Sequence, residues 1–375
     1  MHFTYTLNNT TQLRLLEPRY ATDVYALINT NRAHLGRWLD WVDHTQSAAD
    51  TQAFCRHTLR ECAHETGLTV GIWHADRFAG MIGLIGVHHG TQSADIGYWL
   101  GEAYQGQGLV TDACRAVIAH AFGVLGLNRI QIRVQPANIR SRAIPNRLGF
   151  RHEGTLRQVG EHNGARFDLD VFALLRDAWD GAPQPVTFTA PLADDTGMRL
   201  LLPHDAGAVY ALIAQNRHHL RWMPFLEHTH SESDIRNFIR RTLHALSDDT
   251  GIHAAVIHQG SLAGIIGADA VDTSPHRVEM GYWLGEAFQG KGLMTQAGQA
   301  MLTHLFTVAG RHRVDIRCDI HNTRSRALAE RLGFVHEGTT RQADRIGGAF
   351  VDMHRFGLLR SDWDALNRHQ STVDP

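Results

Sequence analysis

The chain has 375 residues, a length that predicts two or three domains, each large enough to bury its own hydrophobic core. Its 36 basic and 38 acidic residues give a formal net charge of −2, which argues against a nucleic-acid partner because the overall charge is not basic. The amino terminus lacks a signal-peptide pattern and no apolar run reaches the length of a membrane span, so we expect a cytoplasmic protein without a membrane partner.

The cysteines and histidines do not have the spacing of disulfide or metal frameworks. The chain has four cysteines, Cys55, Cys62, Cys114 and Cys318. None form a C-x-x-C motif, and Cys55 and Cys62 lie two turns apart on one predicted helix, which predicts free thiols. The 26 histidines include close groupings such as His228-x-His230, but none has the i, i+4 spacing with a neighbouring acid that is typical of zinc sites. We therefore expect no functional metal.

Hydrophobic periodicity predicts two helices and then a β-hairpin early in the chain. The first helix runs from Tyr25 to Leu35, and the second includes the segment FCRHTLRECA, which begins at Phe54. The hairpin strands LTVGIWH and RFAGMIGLIGV flank the dipeptide Ala75-Asp76, which we assign to the turn.

A third strand, ADIGYWL, leads into a glycine-rich loop and then into a helix that begins near Leu109. That helix carries apolar or small residues at the positions expected of a helix packed on a sheet. Alternating Ile130, Ile132 and Val134 predict a further strand, which is followed by a short helix that ends at Gly149 and by a closing hairpin. Helices and strands alternate around one mixed sheet, so the predicted class is α/β.

The same set of elements occurs twice. GYWLGEAYQGQGLVTDA, from Gly97 to Ala113, returns as GYWLGEAFQGKGLMTQA, from Gly281 to Ala297, at an offset of 184 residues. The same offset relates Ser141 to Ser325, and the early helix recurs from Tyr210 to Leu220. Solenoid repeats are only about 20–50 residues long, so this long period indicates duplicated domains.

The segment GAPQPVTFTAPLADDTG, residues 181–197, holds three of the ten prolines and has no helical periodicity. This composition predicts a linker over residues 182–196 between domains at 1–181 and 197–375. Duplicated domains keep the surface that a homodimer would bury, so we expect the two halves to pack as a pseudo-two-fold pair, which makes the chain its own dimer.

The glycine-rich loop has the chemistry of a phosphate-binding site. It reads Gln105-Gly106-Gln107-Gly108 and lies between a strand and the start of a helix, where backbone N–H groups meet the positive end of the helix. Glycine is needed because a side chain would hold a pyrophosphate away from these groups. A Gly-x-Gly turn is weak evidence by itself, but each half carries an Asn-x-x-Ser-Arg-Ala motif 32 residues after the first glycine, at Asn138 in the first half.

These motifs together resemble the GNAT superfamily of acyl-CoA-dependent N-acyltransferases, and in particular its Rim-type branch, which acetylates protein N-termini. The resemblance is carried by GYWLGEAYQGQGLVTDA, by NIRSRA from Asn138 and by RLGFRHEGTLRQ, with their partners in the second half, and it covers nearly all of both halves. It implies two tandem α/β domains, each with a mixed, mostly antiparallel, seven-stranded sheet that is split into a V and flanked by helices. It also implies acetyl-CoA as cofactor, with the pantetheine lying in the cleft like an extra strand.

The resemblance implies cofactor-binding residues at matching positions of the two halves. The third strand of each half would run beside the pantetheine with Tyr98, Trp99 and Leu100, and with Tyr282, Trp283 and Leu284. The pyrophosphate would be held by Gln105, Gly106, Gln107, Gly108, Leu109 and Val110, and by Gln289, Gly290, Lys291, Gly292, Leu293 and Met294. Asn138 and Asn322 would bind the cofactor through their amides or would only cap the helices that follow.

The chemistry of amine acetylation independently points to candidate catalytic residues. Aminolysis of a thioester needs a neutral amine and a proton for the departing thiolate, which Ser141 or Ser325 could supply. The resemblance implies a base nineteen residues after each serine, which is Asp344 in the second half. The first half has Gly160 there, followed by Glu161.

Other side chains have both a functional and a purely structural interpretation. Two carboxylates would act as bases through water or would simply be solvated, Asp95 and Glu279. Four arginines would contact the 3′-phosphate of the cofactor or would lie exposed without a ligand, Arg140, Arg142, Arg324 and Arg326. Four aromatic residues after the first helix would bind the acceptor or would cover the sheet edge, Trp38, Trp41, Trp222 and Phe225.

One proline distinguishes the two halves. Pro145 lacks an N–H group and disfavours helical angles at Ile144, so we expect the short helix of the first half to start later than its counterpart and to displace Ser141. Together with Gly160, this predicts that the second half carries most of the catalysis. The alternative is that Pro145 lies in the first helical turn, where proline is tolerated, and that both sites are competent.

The leading hypothesis is an acetyl-CoA-dependent N-acetyltransferase with two cofactor sites per chain. Its acceptor is a primary amine, and we favour the α-amine of a protein or peptide, which at pH 7 is about one-seventh neutral, whereas a lysine side chain is neutral about once in 2,500. One alternative is detoxification of an amino-bearing antibiotic or a peptide-nucleotide. An alternative of another class is an acyl-CoA-binding regulatory protein in which one or both copies are inactive.

Overall fold

The computed structural model describes residues 2–162, 164–182, 184–271 and 274–371. The chain divides into two compact units, a first unit of Phe3–Phe188 and a second unit that begins at Thr189. Each unit has a mixed sheet flanked by helices, so the predicted pair of α/β domains is confirmed.

The first unit is built on eight strands. They are β1 (Tyr5–Asn8), β2 (Thr11–Leu15), β3 (Leu68–His74), β4 (Arg77–His88), β5 (Ser93–Leu100), β6 (Arg129–Val134), β7 (Arg151–His162) and β8 (Ala165–Leu175). The helices are α1 (Ala21–Thr30), α2 (Arg32–Leu35), α3 (Trp41–His44), α4 (Ala48–Ala63), α5 (Leu109–Gly123) and α6 (Ile139–Arg147). The strand order is β1-β2-β3-β4-β5-β6-β8-β7, and every neighbouring pair is antiparallel except β5 and β6.

The second unit repeats this topology. Its strands are β9 (Thr189–Pro191), β10 (Thr196–Leu200), β11 (Gly251–His258), β12 (Ser261–Val271), β13 (Ser274–Leu284), β14 (Arg313–Asp319), β15 (Val335–Ile346) and β16 (Ala349–Leu359). Its helices are α7 (Ala206–Asn216), α8 (Glu232–Ser247), α9 (Leu293–Thr303), α10 (Thr323–Arg331) and α11 (Arg360–Ser371). The order β15-β16-β14-β13-β12-β11-β10-β9 corresponds to that of the first unit.

The expectation of seven strands per sheet is therefore wrong, because the described part of each unit has eight. The additional strands are the short edge strands β1 and β9, which pair with β2 and β10. Each edge strand provides hydrogen-bond partners for backbone groups that its neighbour would otherwise leave open at the sheet edge.

Local sequence signals place most elements correctly. Ala75 and Asp76 have φ angles of 47° and 57°, so they form the left-handed two-residue turn of the β3–β4 hairpin. Cys55 and Cys62 both lie on α4, and all four cysteines are free and buried. The predicted helix from Tyr25 to Leu35 is instead two helices, because the chain leaves helical geometry at Asn31, where φ is −118° and ψ is 16°.

The split of each sheet comes from its single parallel pair. Strands β5 and β6 pair only over Ser93–Asp95 and Arg129–Gln131, and the rest of β5 is bonded to β4 alone. In the second unit, β13 and β14 pair over Arg277–Glu279 and Arg313–Asp315 and then diverge. The predicted V-shaped opening is thus present in both units.

The segment predicted as a linker, residues 182–196, is largely part of the two units. Val186 and Phe188 are fully buried, and Thr189–Pro191 forms strand β9. The proline content of the segment predicted a linker, but its apolar side chains pack in the core. The structural division falls between Phe188 and Thr189. Among the described residues, none of the helices has the length and apolar character needed to cross a membrane.

Candidate active site

The glycine-rich loops end in helices whose first N–H groups are open. Gly106 and Gly108 have φ angles of 77° and 79°, and Gly290 and Gly292 have 75° and 76°, which is the left-handed region that favours glycine. Gly108 and Gly292 are the N-caps of α5 and α9, and neither helix start has a side-chain cap. The first-turn N–H groups therefore point out of the helix as donors for an anion.

An asparagine at the end of the first helix of each unit supports the start of the glycine-rich loop. Asn31 Oδ1 accepts a hydrogen bond of 2.8 Å from Glu102 N, just before the loop, and Asn216 Oδ1 does the same for Glu286 N. Neither asparagine is among the site residues predicted from the sequence, although the repeated N-R-x-H-L segment marks both.

The first glutamine of each glycine-rich loop contacts an arginine of the Asn-x-x-Ser-Arg-Ala motif, and in the first unit it also contacts a histidine of the N-R-x-H-L segment. Gln105 Nε2 lies 2.6 Å from His34 Nε2, and Gln105 Oε1 accepts a hydrogen bond from Arg140. In the second unit, Gln289 Oε1 accepts a hydrogen bond from Arg324, whose Nη1 lies 3.0 Å from Nε2 of the corresponding histidine, His219. Both arginines thus lie beside the loop.

The other two arginines are engaged elsewhere. Arg142 forms an ion pair with the buried Asp170 at 2.8 Å, and Arg326 pairs with Glu330 at 2.9 Å. Of the four predicted phosphate contacts, these two are held by carboxylates of their own unit.

The strand beside the opening contributes backbone and one hydroxyl to the site. Trp99 is only 8% exposed and packs in the core, with its ring 5.9 Å from that of Phe78. Tyr98 points to the other face, because successive residues of a strand alternate. Leu109 and Val110 are buried, so their part in an anion site would be through their N–H groups.

Each candidate serine is paired with a tyrosine. The Tyr282 hydroxyl lies 3.0 Å from Ser325 Oγ, and Ser141 Oγ donates to the Tyr98 hydroxyl at 3.3 Å. Burial raises the pKa of both tyrosines above its ordinary value, so both remain protonated at neutral pH. The sequence motifs predict both tyrosines beside the cofactor but not their pairing with the serines, which spans 43 residues.

The predicted helix cap is present at both Asn-x-x-Ser motifs. Asn138 Oδ1 accepts from Ser141 N at 3.2 Å, and Asn322 Oδ1 accepts from Ser325 N at the same distance. The side-chain oxygens are used in capping, which leaves the amide NH2 groups for a ligand.

The expected late start of α6 is wrong. Helix α6 begins at Ile139, the position that matches the first residue of α10, and Pro145 lies inside the helix rather than in its first turn. Proline removes the N–H that would bond to Ser141 O four residues earlier. The Tyr98 hydroxyl donates to that carbonyl at 3.1 Å, so the carbonyl keeps a partner and the helix keeps its start.

A cleft of about 990 Å³ opens in the second unit between the loop and the β15–β16 hairpin. Tyr282, Ser325, Asn322 and Asp344 all line it. Cys318, which is not among the site residues predicted from the sequence, lines the same cleft, and burial raises the pKa of its thiol.

The first unit has no carboxylate at the position of Asp344. A Cβ atom on Gly160 would lie 2.3 Å from Cζ of Phe167, whose ring therefore covers this glycine. Glu161, the next residue, is exposed. The absence of the acid is thus accompanied by an aromatic ring at the same place.

The alternative bases are held by arginines. Asp95 forms an ion pair with Arg133, and Glu279 Oε2 lies 2.7 Å from Arg317 Nε. Each carboxylate thus already has a guanidinium partner.

Of the four aromatic residues after the first helices, two pack on the sheet and one lines the cleft. The ring of Trp41 is 5.8 Å from that of Trp99, and the ring of Phe225 is 6.2 Å from that of Trp283, so both pack on the sheet. Trp222 lines the cleft, and Trp38 is half-buried. Within the described residues, no cluster of three or more His, Cys, Asp or Glu side chains could hold a metal ion.

The family model for the acetyltransferase (GNAT) domain matches this chain twice, over residues 11–151 and 196–335. The two matches together span well over half of the sequence. The chain therefore belongs to the GNAT acetyltransferase family.

Two curated relatives and one solved structure each match about half of this chain. The Bacillus subtilis protein named "Putative ribosomal N-acetyltransferase YdaF" is 37% identical over 184 residues, which are 48% of this chain and 98% of the relative. The ribosomal-protein-serine acetyltransferase of Escherichia coli is 29% identical over 178 residues, 46% of this chain and 98% of its own length. A solved structure of the microcin C7 self immunity acetyltransferase MccE, in complex with acetyl-CoA and AMP, has 28% identity and a TM-score of 0.43, and covers 45% of this chain and 94% of its own.

The protein is accordingly an N-acetyltransferase that uses acetyl-CoA. Its structure fits this cofactor in two respects. The open N–H groups at Gly108 and Gly292 suit a pyrophosphate, and the unpaired edge of β5 or β13 offers backbone groups to the amides of a pantetheine chain.

We predict two acetyl-CoA sites per chain, because both units keep the left-handed glycines and the open helix start. Titration calorimetry should give a stoichiometry near two, and Gly108→Glu or Gly292→Glu should each reduce it to one by placing a carboxylate against the phosphates. The two substitutions are matched controls for each other. A stoichiometry of one for the unsubstituted chain would contradict the prediction.

Proposed function

We propose that the protein acetylates the α-amine of a protein or peptide N-terminus, and that the second unit carries most of the catalysis. The observation that carries this proposal is the arrangement of Ser325, Tyr282 and Asp344 around one cleft of about 990 Å³. A proton donor and a proton acceptor are both needed for amide formation from a charged amine.

The choice of an α-amine is supported by relatives and by proton chemistry. The relatives from Bacillus subtilis and Escherichia coli are named as a ribosomal and a ribosomal-protein-serine acetyltransferase. An α-amine is about one-seventh neutral at pH 7, so a modest base suffices for it, whereas a lysine amine would need much stronger assistance. Ribosomes are cytoplasmic, and we place the protein in that compartment.

Acetyl-CoA, when bound, supplies a thioester as the acyl donor. Ser325 Oγ would supply the proton that the leaving sulfur takes and would then be reprotonated from solvent. The neighbouring Tyr282 hydroxyl lies 3.0 Å from Ser325 Oγ and orients it. Burial keeps the tyrosine protonated, because it raises the pKa of the phenol. Asn322 holds the first turn of α10, and with it Ser325, through the bond to Ser325 N.

Asp344 is the best candidate for the base in the second unit. It lines the cleft, and its Oδ1 accepts a hydrogen bond of 2.8 Å from Arg345 N, which orients the carboxylate. Glu279 also lines the cleft but is paired with Arg317. Asp344 would therefore take the proton from the acceptor amine.

A panel of acceptors tests this function. We expect the full chain with acetyl-CoA to acetylate peptides at their N-terminal α-amine, as measured by mass spectrometry of the products. Matched peptides with a blocked N-terminus and a free lysine should remain unmodified. Transfer only to aminoglycosides or aminoacyl-nucleotides would support detoxification instead, and binding without any transfer would support a regulatory protein.

Substitution of the proposed base should slow the reaction. For Asp344→Asn we expect kcat/KM with an N-terminal peptide to fall about 10²-fold, the lower end of what general-base catalysis contributes. Asp352→Asn is the matched control. Asp352 lies on the same hairpin, and its Oδ1 accepts a hydrogen bond of 2.8 Å from Gln342 N, which the Oδ1 of an asparagine can also accept. Equal losses in both variants would contradict the role of Asp344.

The two serines should differ in importance. Ser325→Ala should lower kcat more than Ser141→Ala does when both are measured at saturating acetyl-CoA with a serine-initiated peptide. The physical reason is Gly160, which leaves the first unit without the carboxylate that complements the serine. A loss in Ser141→Ala that equals or exceeds that in Ser325→Ala would show that the assignment to the second unit is wrong.

A further inference from the structure

The β7–β8 and β15–β16 hairpins have the same register but different side chains toward the opening. Gly160 is the cross-strand partner of Phe167, and Asp344 is the partner of Val351. Directly paired residues lie on the same face of a sheet, and residues two apart along a strand share that face. Asp344 and Met353 both line the cleft, and Val351 lies on the same face of the hairpin.

The corresponding face of the first unit is therefore made by Gly160, Phe167 and Leu169. The Phe167 ring covers Gly160, since a Cβ there would lie 2.3 Å from Cζ and 2.8 Å from Cε1 and Cε2. A carboxyl-bearing side chain at position 160 and the ring in its present position exclude each other. The same site in the two units thus carries either an acid beside a small side chain or an aromatic ring beside a glycine.

Contacts at the end of each hairpin keep this face next to the segment that follows the first helices. His162 Nε2 lies 2.6 Å from Gly36 O, in the segment that carries Trp38 and Trp41. In the second unit, Gly348 N donates to Glu227 Oε1 at 3.3 Å. The hairpin face and the aromatic segment thus lie beside each other in each unit, so that an acceptor bound between them would contact both.

We propose that Phe167 determines the acceptor specificity of the first unit, which acetylates α-amines of N-terminal residues with apolar side chains, whereas the second unit acetylates those with small polar side chains. This inference rests on the proposed function. The partly exposed ring gains from covering an apolar group, while the cleft of the second unit presents Asp344 to a charged amine and to polar groups near it. Without a carboxylate at Gly160, the first unit selects its acceptor by apolar contact alone.

The test isolates each unit within the full chain. Gly292→Glu disables the second loop, so that the remaining transfer reports the first unit, and Gly108→Glu does the reverse. The acceptors are two peptides that differ only in the first residue, Phe or Ser. We expect the kcat/KM ratio of the Phe peptide to the Ser peptide to be at least about tenfold higher in the Gly292→Glu chain, a typical discrimination by an apolar pocket.

Phe167→Val in the Gly292→Glu chain should then lower this ratio about tenfold through a higher KM for the Phe peptide. The reciprocal pair Asp344→Gly and Val351→Phe in the Gly108→Glu chain should raise the ratio. Phe350→Val is the matched control, because this ring is 70% exposed on the opposite face of the second hairpin, and the ratio should stay constant.

An unchanged ratio in the Phe167→Val variant overturns the inference. A Gly292→Glu chain that binds acetyl-CoA but acetylates neither peptide overturns it as well. If the Gly108→Glu chain, which reports the second unit, still acetylates a peptide, the proposed function remains intact. If the unsubstituted chain acetylates neither peptide, the proposed function itself fails and the inference fails with it.

Discussion

The separation of two parallel strands is the constraint on which the rest of each unit depends. Strands β5 and β6 share hydrogen bonds over three residues and then diverge, which leaves one edge of β5 unpaired up to Leu100. Backbone groups in such a position need partners, and a ligand with amide groups can provide them. The end of the same strand leads into the glycine-rich loop and the open start of α5, and β6 leads to the helix that carries Ser141, so one divergence brings the three parts of the site together.

The duplication allows a comparison of two sites on one backbone plan. Loop glycines, helix caps and tyrosine–serine pairs are the same in both units. One difference lies in a cross-strand pair of the last hairpin, where Gly160 and Phe167 replace Asp344 and Val351. The features that the two units share are thus backbone conformations and helix caps, whereas this difference lies in the side chains of one hairpin.

Pro145 shows how tertiary contacts override a local propensity. Proline inside a helix ordinarily breaks it, because it removes one hydrogen bond and crowds the preceding turn. Here the carbonyl that loses its N–H partner belongs to Ser141, and the Tyr98 hydroxyl from a neighbouring strand replaces the missing donor. The tyrosine is available because strand β5 places it beside the serine, so the tyrosine–serine pairing also supports the helix.

The amino-acid sequence by itself determined the elements that depend on neighbouring residues: the turn at Ala75-Asp76, the left-handed glycines, the Asn caps and the duplication with its family resemblance. Only the tertiary structure decided the eighth strand of each sheet, the tyrosine–serine pairs, the arginine partners of Asp95 and Glu279, and the ring of Phe167 over Gly160. The physical reason is range. Turns and caps are set by backbone angles within a few residues, whereas these contacts join segments whose distance and direction are defined only when sheet register and strand divergence bring their side chains to one place.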